Sequence, residues 1–194
     1  NKMNPVKSLI YVTSNELKFK VAQQSLQNSG ILLEQKSLDT PEIQSPRVDE
    51  IAEWSAIWAC QHLNLPVVVS DVGYFIEALN GFPGPFIKYV NDWFTADDYL
   101  NLMQGKSNRQ ATIQDCLAYC RPNDKPVVFC QIHHGEIATK PGRKRGTPIN
   151  QVFIPEGFSK PISEIPPDQM VAHWSAAAIW QELRAHIESL SPDG

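Results

Sequence analysis

The sequence predicts an α/β fold built on a mixed sheet, and three observations carry that prediction. Strand and helix patterns alternate β-α-β-α-β from Ser8 to Asp71; two long β segments then follow, parted only by the turn Pro122-Asn123-Asp124; and a helical pattern closes the chain.

Each element has its own reason. Ser8–Thr13 is a short apolar run of strand length. Asn15–Gly30 reads as a helix, with Gly30 as its C-terminal cap. Ile31–Leu38 is a second strand, and Leu38–Arg47 is a loop holding Pro41 and Pro46. Val48–Leu63 places Ile51, Trp54, Ile57 and Trp58 at helical spacing. Pro66–Asp71 is a buried strand by its β-branched run. Thr95–Gly105 is a short helix, with Thr95 as its N-cap and Gly105 past its end. Ala111–Arg121 and Pro126–Ala138 are the long β segments. Lys140–Pro148 is a basic loop, Ile149–Pro155 a short strand, and Ser175–Leu190 an amphipathic helix capped by Ser175.

A chain of 194 residues, 42% hydrophobic and 20% charged, fits one globular domain over 1–194 with a core that needs no staples. The net charge of -4 argues against a nucleic-acid partner, because phosphate neutralisation needs a basic face. An anionic small molecule remains compatible, since a few lysines can build a local positive pocket. Cys60, Cys116, Cys120 and Cys130 form no Cys-x-x-Cys pair, so they read as buried reduced thiols rather than a zinc site. The apolar run Ser8–Val12 is too short for a membrane span or a secretory segment, so the expectation is a cytoplasmic protein without a membrane partner. Met3 fits a native start, with Asn1 and Lys2 as additions.

Four stretches could carry chemistry. Thr13-Ser14-Asn15-Glu16-Leu17-Lys18 runs from a strand into a helix start, where backbone N–H groups and a lysine favour an anion. The plain alternative makes Asn15 a helix cap and Lys18 a solvated side chain. Glu42, in a Pro-flanked loop, is either solvated or an oxygen ligand for magnesium. Asp71 ends a strand ahead of Gly73, where a carboxylate can hold a metal, activate water or merely form a turn. Lys88 follows the stiff turn Asn80-Gly81-Phe82-Pro83-Gly84-Pro85, which either delivers it to an anion or serves as a corner.

Taken together, these stretches resemble the inosine triphosphate pyrophosphatase family of non-canonical purine nucleotide hydrolases. The likeness is strongest over "YVTSNELK", "LDTPEIQ", "VDEIAEW" and "VVVSDVGYFIEALNGFPGPFIKY". It implies an elongated mixed sheet with flanking helices, in two lobes around a cleft, and commonly a homodimer. It implies that Thr13, Asn15 and Lys18 grip a triphosphate, that Glu42 and Asp71 bind Mg2+, that Asp71 also activates water, and that Lys88 contacts phosphate. The implied reaction splits a nucleoside triphosphate and water into a nucleoside monophosphate and pyrophosphate.

The departures from the family pattern bear on the base and on the reacting phosphorus. Ser70 stands where a second acid is usual, and Ser55 where a helix lysine is usual. The aromatic segment that stacks on the purine is replaced by Thr147-Pro148-Ile149-Asn150-Gln151, with Asn150 in place of an aspartate. The Ser-His-Arg motif reads Ala172-His173-Trp174, which keeps His173 but puts a tryptophan where a forked arginine donor is expected. Trp174 either stacks on a base or packs in the core. The basic cluster Lys140, Arg143, Lys144 and Arg145 is a solvated loop or a replacement phosphate contact. The resulting expectation is a pyrophosphatase with altered base selectivity; the alternative is a nucleotide binder with little turnover.

Overall fold

The computed structural model describes residues 7–190, so the reading of Met3 as a start lies outside the described residues. Seven strands form one mixed sheet in the order β2-β1-β3-β5-β6-β7, with β4 paired to β3 off that path. They are β1 (Lys7–Val12), β2 (Ile31–Lys36), β3 (Val67–Ile76), β4 (Pro83–Gly84), β5 (Gln110–Cys120), β6 (Val127–Ile137) and β7 (Phe153–Pro155). The helices are α1 (Glu16–Ser25), α2 (Val48–Leu63), α3 (Ile87–Trp93), α4 (Ala96–Leu102), α5 (Pro167–Ser175) and α6 (Ala178–Ser189). β1 runs parallel to β2 and to β3, whereas β3–β4 and β6–β7 are antiparallel, so the fold is α/β with a mixed sheet.

The chain divides into two compact units whose limits fall within β3, β5 and β6. The first holds everything up to Asp71, then Cys116–Gln131, and the chain from Val171 onward. Its core gathers Leu9 and Tyr11 of β1, Val21 and Ala22 of α1, Val68 of β3, Leu117 of β5, and Trp180, Leu183 and Ile187 of α6. The Tyr11 and Trp180 rings meet edge-on at 5.7 Å, a favoured aromatic geometry. α2 buries Ala52, Ser55, Ala56, Ala59 and Cys60, while Trp54 and Trp58 stay half-buried. Small side chains on that face allow close backbone approach, so the tryptophans that mark the period lie beside the contact.

The second unit holds Val72–Asp115 and Ile132–Met170. Ile76, Tyr99, Met103, Ile137, Ile149 and Phe153 are almost wholly buried in it. Thr95 and Asp98 form the capping box that starts α4, as the sequence reading placed it. Gly135 of β6 admits no larger residue: a Cβ there would stand 2.5 Å from both the Ile154 carbonyl oxygen and Phe153 Cζ.

Several boundaries differ from those the sequence predicts. α1 stops at Ser25 rather than Gly30, because Asn28 takes the left-handed conformation at φ 61 and breaks the helix first. β3 continues past Asp71 to Ile76, since Tyr74 and Phe75 find partners in β4. Pro148–Gln151 is a 3-10 turn, and only Phe153–Pro155 of the expected strand is extended. Ser175 ends α5 rather than capping α6: its hydroxyl donates back to the Ala172 carbonyl at 3.2 Å, and α6 starts at Ala178 without a side-chain cap.

The cysteines need a further correction. Cys116 of β5 and Cys130 of β6, on neighbouring strands, are joined by a disulfide with Cα atoms 4.2 Å apart; Cys60 and Cys120 are buried free thiols. Close cross-strand approach puts two sulfurs in bonding range, and a spacing of 14 residues across a turn does not announce it. Such bonds are rare in cytosolic proteins. Thiol titration of the unfolded chain without reductant should therefore find two reactive cysteines, and four after reduction.

Candidate active site

In the first unit, Thr13 and Asn15 lie in the loop between β1 and α1, and Lys18 lies in the first turn of α1. Asn15 Oδ1 accepts from the backbone N–H groups of Leu17 at 3.0 Å and Lys18 at 3.1 Å, which makes Asn15 the helix N-cap. Thr13 Oγ1 accepts from the Asn15 N–H at 3.1 Å, and Gln35 of β2 donates to the Thr13 carbonyl at 3.1 Å. The loop is thus pinned from both sides, with the N-terminal N–H groups of α1 and the half-buried Lys18 beside it. The cap takes up the N–H groups of Leu17 and Lys18, so the anion reading rests on the Lys18 ammonium rather than on those donors.

Asp71 lies beyond Val68, the last β3 residue paired with β1, at the carboxyl end of the parallel part of the sheet. It is mid-strand rather than at a strand end, because β3 goes on to Ile76. Its Oδ2 is sealed from solvent. Ser70, one residue earlier, hydrogen-bonds the Tyr11 hydroxyl at 2.6 Å, so the place of a second acid is filled by a hydroxyl pair. Ser55 is buried in α2.

Glu42 is exposed on the loop before α2, in the same unit as Asp71. That loop is fastened at its end, where Ser45 Oγ donates to Glu50 at 2.6 Å and accepts from the Arg47 N–H at 3.0 Å. Among the described residues, no group of three or more His, Cys, Asp or Glu side chains could hold a metal ion.

His173 and Trp174 end α5, their rings edge-on at 4.8 Å. Burial lowers the pKa of His173, which favours the neutral imidazole. Trp174 is half-buried and packs against the core of the first unit.

The second unit carries Lys88 and Asn150. Lys88 is exposed on α3, with its ammonium 5.9 Å from the centre of the Tyr89 ring. Asn150 sits on the 3-10 turn Pro148–Gln151, where the Tyr74 hydroxyl donates to its Oδ1 at 3.0 Å. The same turn is held by Asn91 of α3, whose Oδ1 accepts from the Ile149 N–H at 3.2 Å and the Tyr99 hydroxyl at 3.0 Å. Tyr74 also meets Phe153 edge-on at 5.5 Å. Sequence reading missed Tyr74 and Asn91; nothing local links Tyr74 to a residue 76 positions away.

The basic loop is tied down locally. The Arg143 N–H donates to Glu164 Oε1 at 2.6 Å, and the Arg145 guanidinium donates to the Ile165 carbonyl.

Residues 9–179 match the model of the Ham1 family. A dITP/XTP pyrophosphatase of Methanopyrus kandleri is 40% identical over 157 residues, covering 81% of this chain and 84% of that protein. A dITP/XTP pyrophosphatase of Methanosarcina mazei is 38% identical over 151 residues, covering 78% of this chain and 82% of that one. The solved structure of a HAM1 protein from Coxiella burnetii shares the fold with a TM-score of 0.79, at 20% identity, covering 95% of this chain and all of that one. The loop, strand and turn that suggested the resemblance thus lie within a match running from β1 into α6, and the chain belongs to the Ham1 family.

Proposed function

We propose that this protein is a hydrolase that splits a non-canonical or modified nucleoside triphosphate into a nucleoside monophosphate and pyrophosphate. The observation that carries this reading is 40% identity, over most of both chains, to a relative named for dITP/XTP pyrophosphatase activity. The resemblance supports it further, since by that resemblance Thr13, Asn15, Lys18, Glu42, Asp71 and Lys88 match the family's phosphate and metal residues.

Water attacks the α-phosphorus. Its oxygen forms the new P–O bond, the bond to the α,β-bridging oxygen breaks, and pyrophosphate leaves with that electron pair. Asp71 orients the water and takes one of its protons. Lys18 and Lys88 stabilise the charge on the phosphate oxygens. The donor set fits magnesium, an oxygen-seeking ion that is commonly held by one or two carboxylates plus substrate phosphates rather than by an all-protein cage. Glu42 and Asp71 are the carboxylates that would hold Mg2+, which when bound neutralises phosphoryl charge.

Base selectivity differs from the family pattern, because Trp174 supplies no forked donor and Asn150 replaces an aspartate. The remaining expectations, a homodimer in the cytoplasm without nucleic-acid or membrane partners, belong to the same reading. The test is pyrophosphate release with magnesium across canonical and modified nucleoside triphosphates. Turnover of at least one modified nucleotide in preference to the canonical four is expected. Thermal stabilisation by nucleotides without turnover would instead make the protein a binder.

A further inference from the structure

An asparagine side chain is ambiguous until its neighbours decide which end faces a ligand. The amide offers two acceptor lone pairs on Oδ1 and two donors on Nδ2. At Asn150 the decision falls to Tyr74, whose hydroxyl donates to Oδ1 at 3.0 Å. Turning the amide over would remove this acceptor and set the Nδ2 donors against the Tyr74 hydroxyl.

Burial, and then the charge of Asp115, push the Tyr74 pKa well above its ordinary value, so the phenol keeps its proton and remains a donor. Tyr74 is itself held by its edge-on contact with Phe153 at 5.5 Å. The backbone beneath Asn150 is fixed by the Ile149 N–H bond to Asn91 at 3.2 Å. Nδ2, by contrast, makes no hydrogen bond among the described residues. It lies beside Gly146, where a Cβ would stand 3.7 Å from it, in van der Waals contact, so glycine keeps that side of the amide clear of a side chain.

We propose that Tyr74 is a specificity-setting positioning residue: by holding Asn150 Oδ1 it leaves Nδ2 as the group offered to the ligand, so the favoured base presents a ring-nitrogen lone pair to Asn150. An aspartate at this position would offer acceptors only and would favour a base N–H. The exchange of one side chain thus inverts the polarity of this contact. The inference rests on the pyrophosphatase reading and names the base edge that reading leaves open.

The test compares kcat/KM of the full chain for two pairs of triphosphates: purine riboside against inosine, and cytidine against uridine. Within each pair one ring nitrogen carries a lone pair in the first member and an N–H in the second. Asn150→Asp should move the ratio towards the N–H member by at least about tenfold in one pair or both, the scale of one mismatched hydrogen bond in a closed site. Tyr74→Phe keeps the ring against Phe153 and frees the amide to turn, so it should move the same ratio in the same direction by a smaller factor. Thermal unfolding of both variants identifies any general loss of structure, which would lower both rates of a pair together and leave their ratio alone. Ratios unchanged in both variants, with turnover intact, would overturn this inference and leave the pyrophosphatase reading standing. Failure of the parent chain to bind or turn over any of the four nucleotides, or any modified purine triphosphate, would overturn that reading and this inference with it.

Discussion

Asp71→Asn is expected to lower pyrophosphate release by about 10²–10⁴-fold, the usual contribution of a positioned general base. The substitution keeps size and shape and removes only the charge and the basic oxygen. Asp71 is held in the middle of β3, between Ser70, which is bonded to Tyr11, and Gly73, so the strand should keep its course in the variant. At saturating magnesium the effect should fall on kcat, because nucleotide grip by Thr13, Asn15 and Lys18 does not involve this carboxylate. Steady-state kinetics with thermal unfolding as control checks it. A variant that retains more than about a tenth of the parent kcat would remove Asp71 from the proton-transfer role.

Phe153→Ala is expected to cost about 3–5 kcal/mol of stability, the range for truncating a buried aromatic to alanine. Phe153 is fully buried in the second unit and meets Tyr74 edge-on. Its ring occupies the space that the missing side chain of Gly135 leaves, and the opposing surface there is β6 backbone. Backbone cannot collapse into the void as a flexible side chain would, so the cost should sit in the upper part of that range. Denaturant unfolding gives the number, and a loss under about 1 kcal/mol would mean that the site repacks. Because Tyr74 loses its ring partner, the variant should also blur the discrimination that Asn150 provides.

The parts of the fold that follow from local chemistry were legible in the sequence. β1, β2 and α2 came from periodicity. The start of α1 came from Asn15, whose side chain meets two backbone N–H groups. The parts set by distant partners were not legible. Gly73 suggested that β3 stops at Asp71, yet the strand continues because Pro83 and Gly84 return to pair with it. The pattern from Ser175 to Leu190 suits one helix capped by Ser175, yet Ser175 closes α5 and α6 starts at Ala178. The site divides the same way. Motif spacing identified Thr13, Lys18, Glu42, Asp71 and Lys88 as candidates. The Tyr74–Asn150 contact joins residues 76 apart and exists only in the folded chain.

The central claim concerns which bond of the nucleotide is cut. The most direct measurement is phosphorus NMR of the products formed from a turned-over modified nucleoside triphosphate in the presence of magnesium. Nucleoside monophosphate and pyrophosphate are expected in equal amounts, with no nucleoside diphosphate at early times. Nucleoside diphosphate with orthophosphate would place the attack at the γ-phosphorus and contradict that claim.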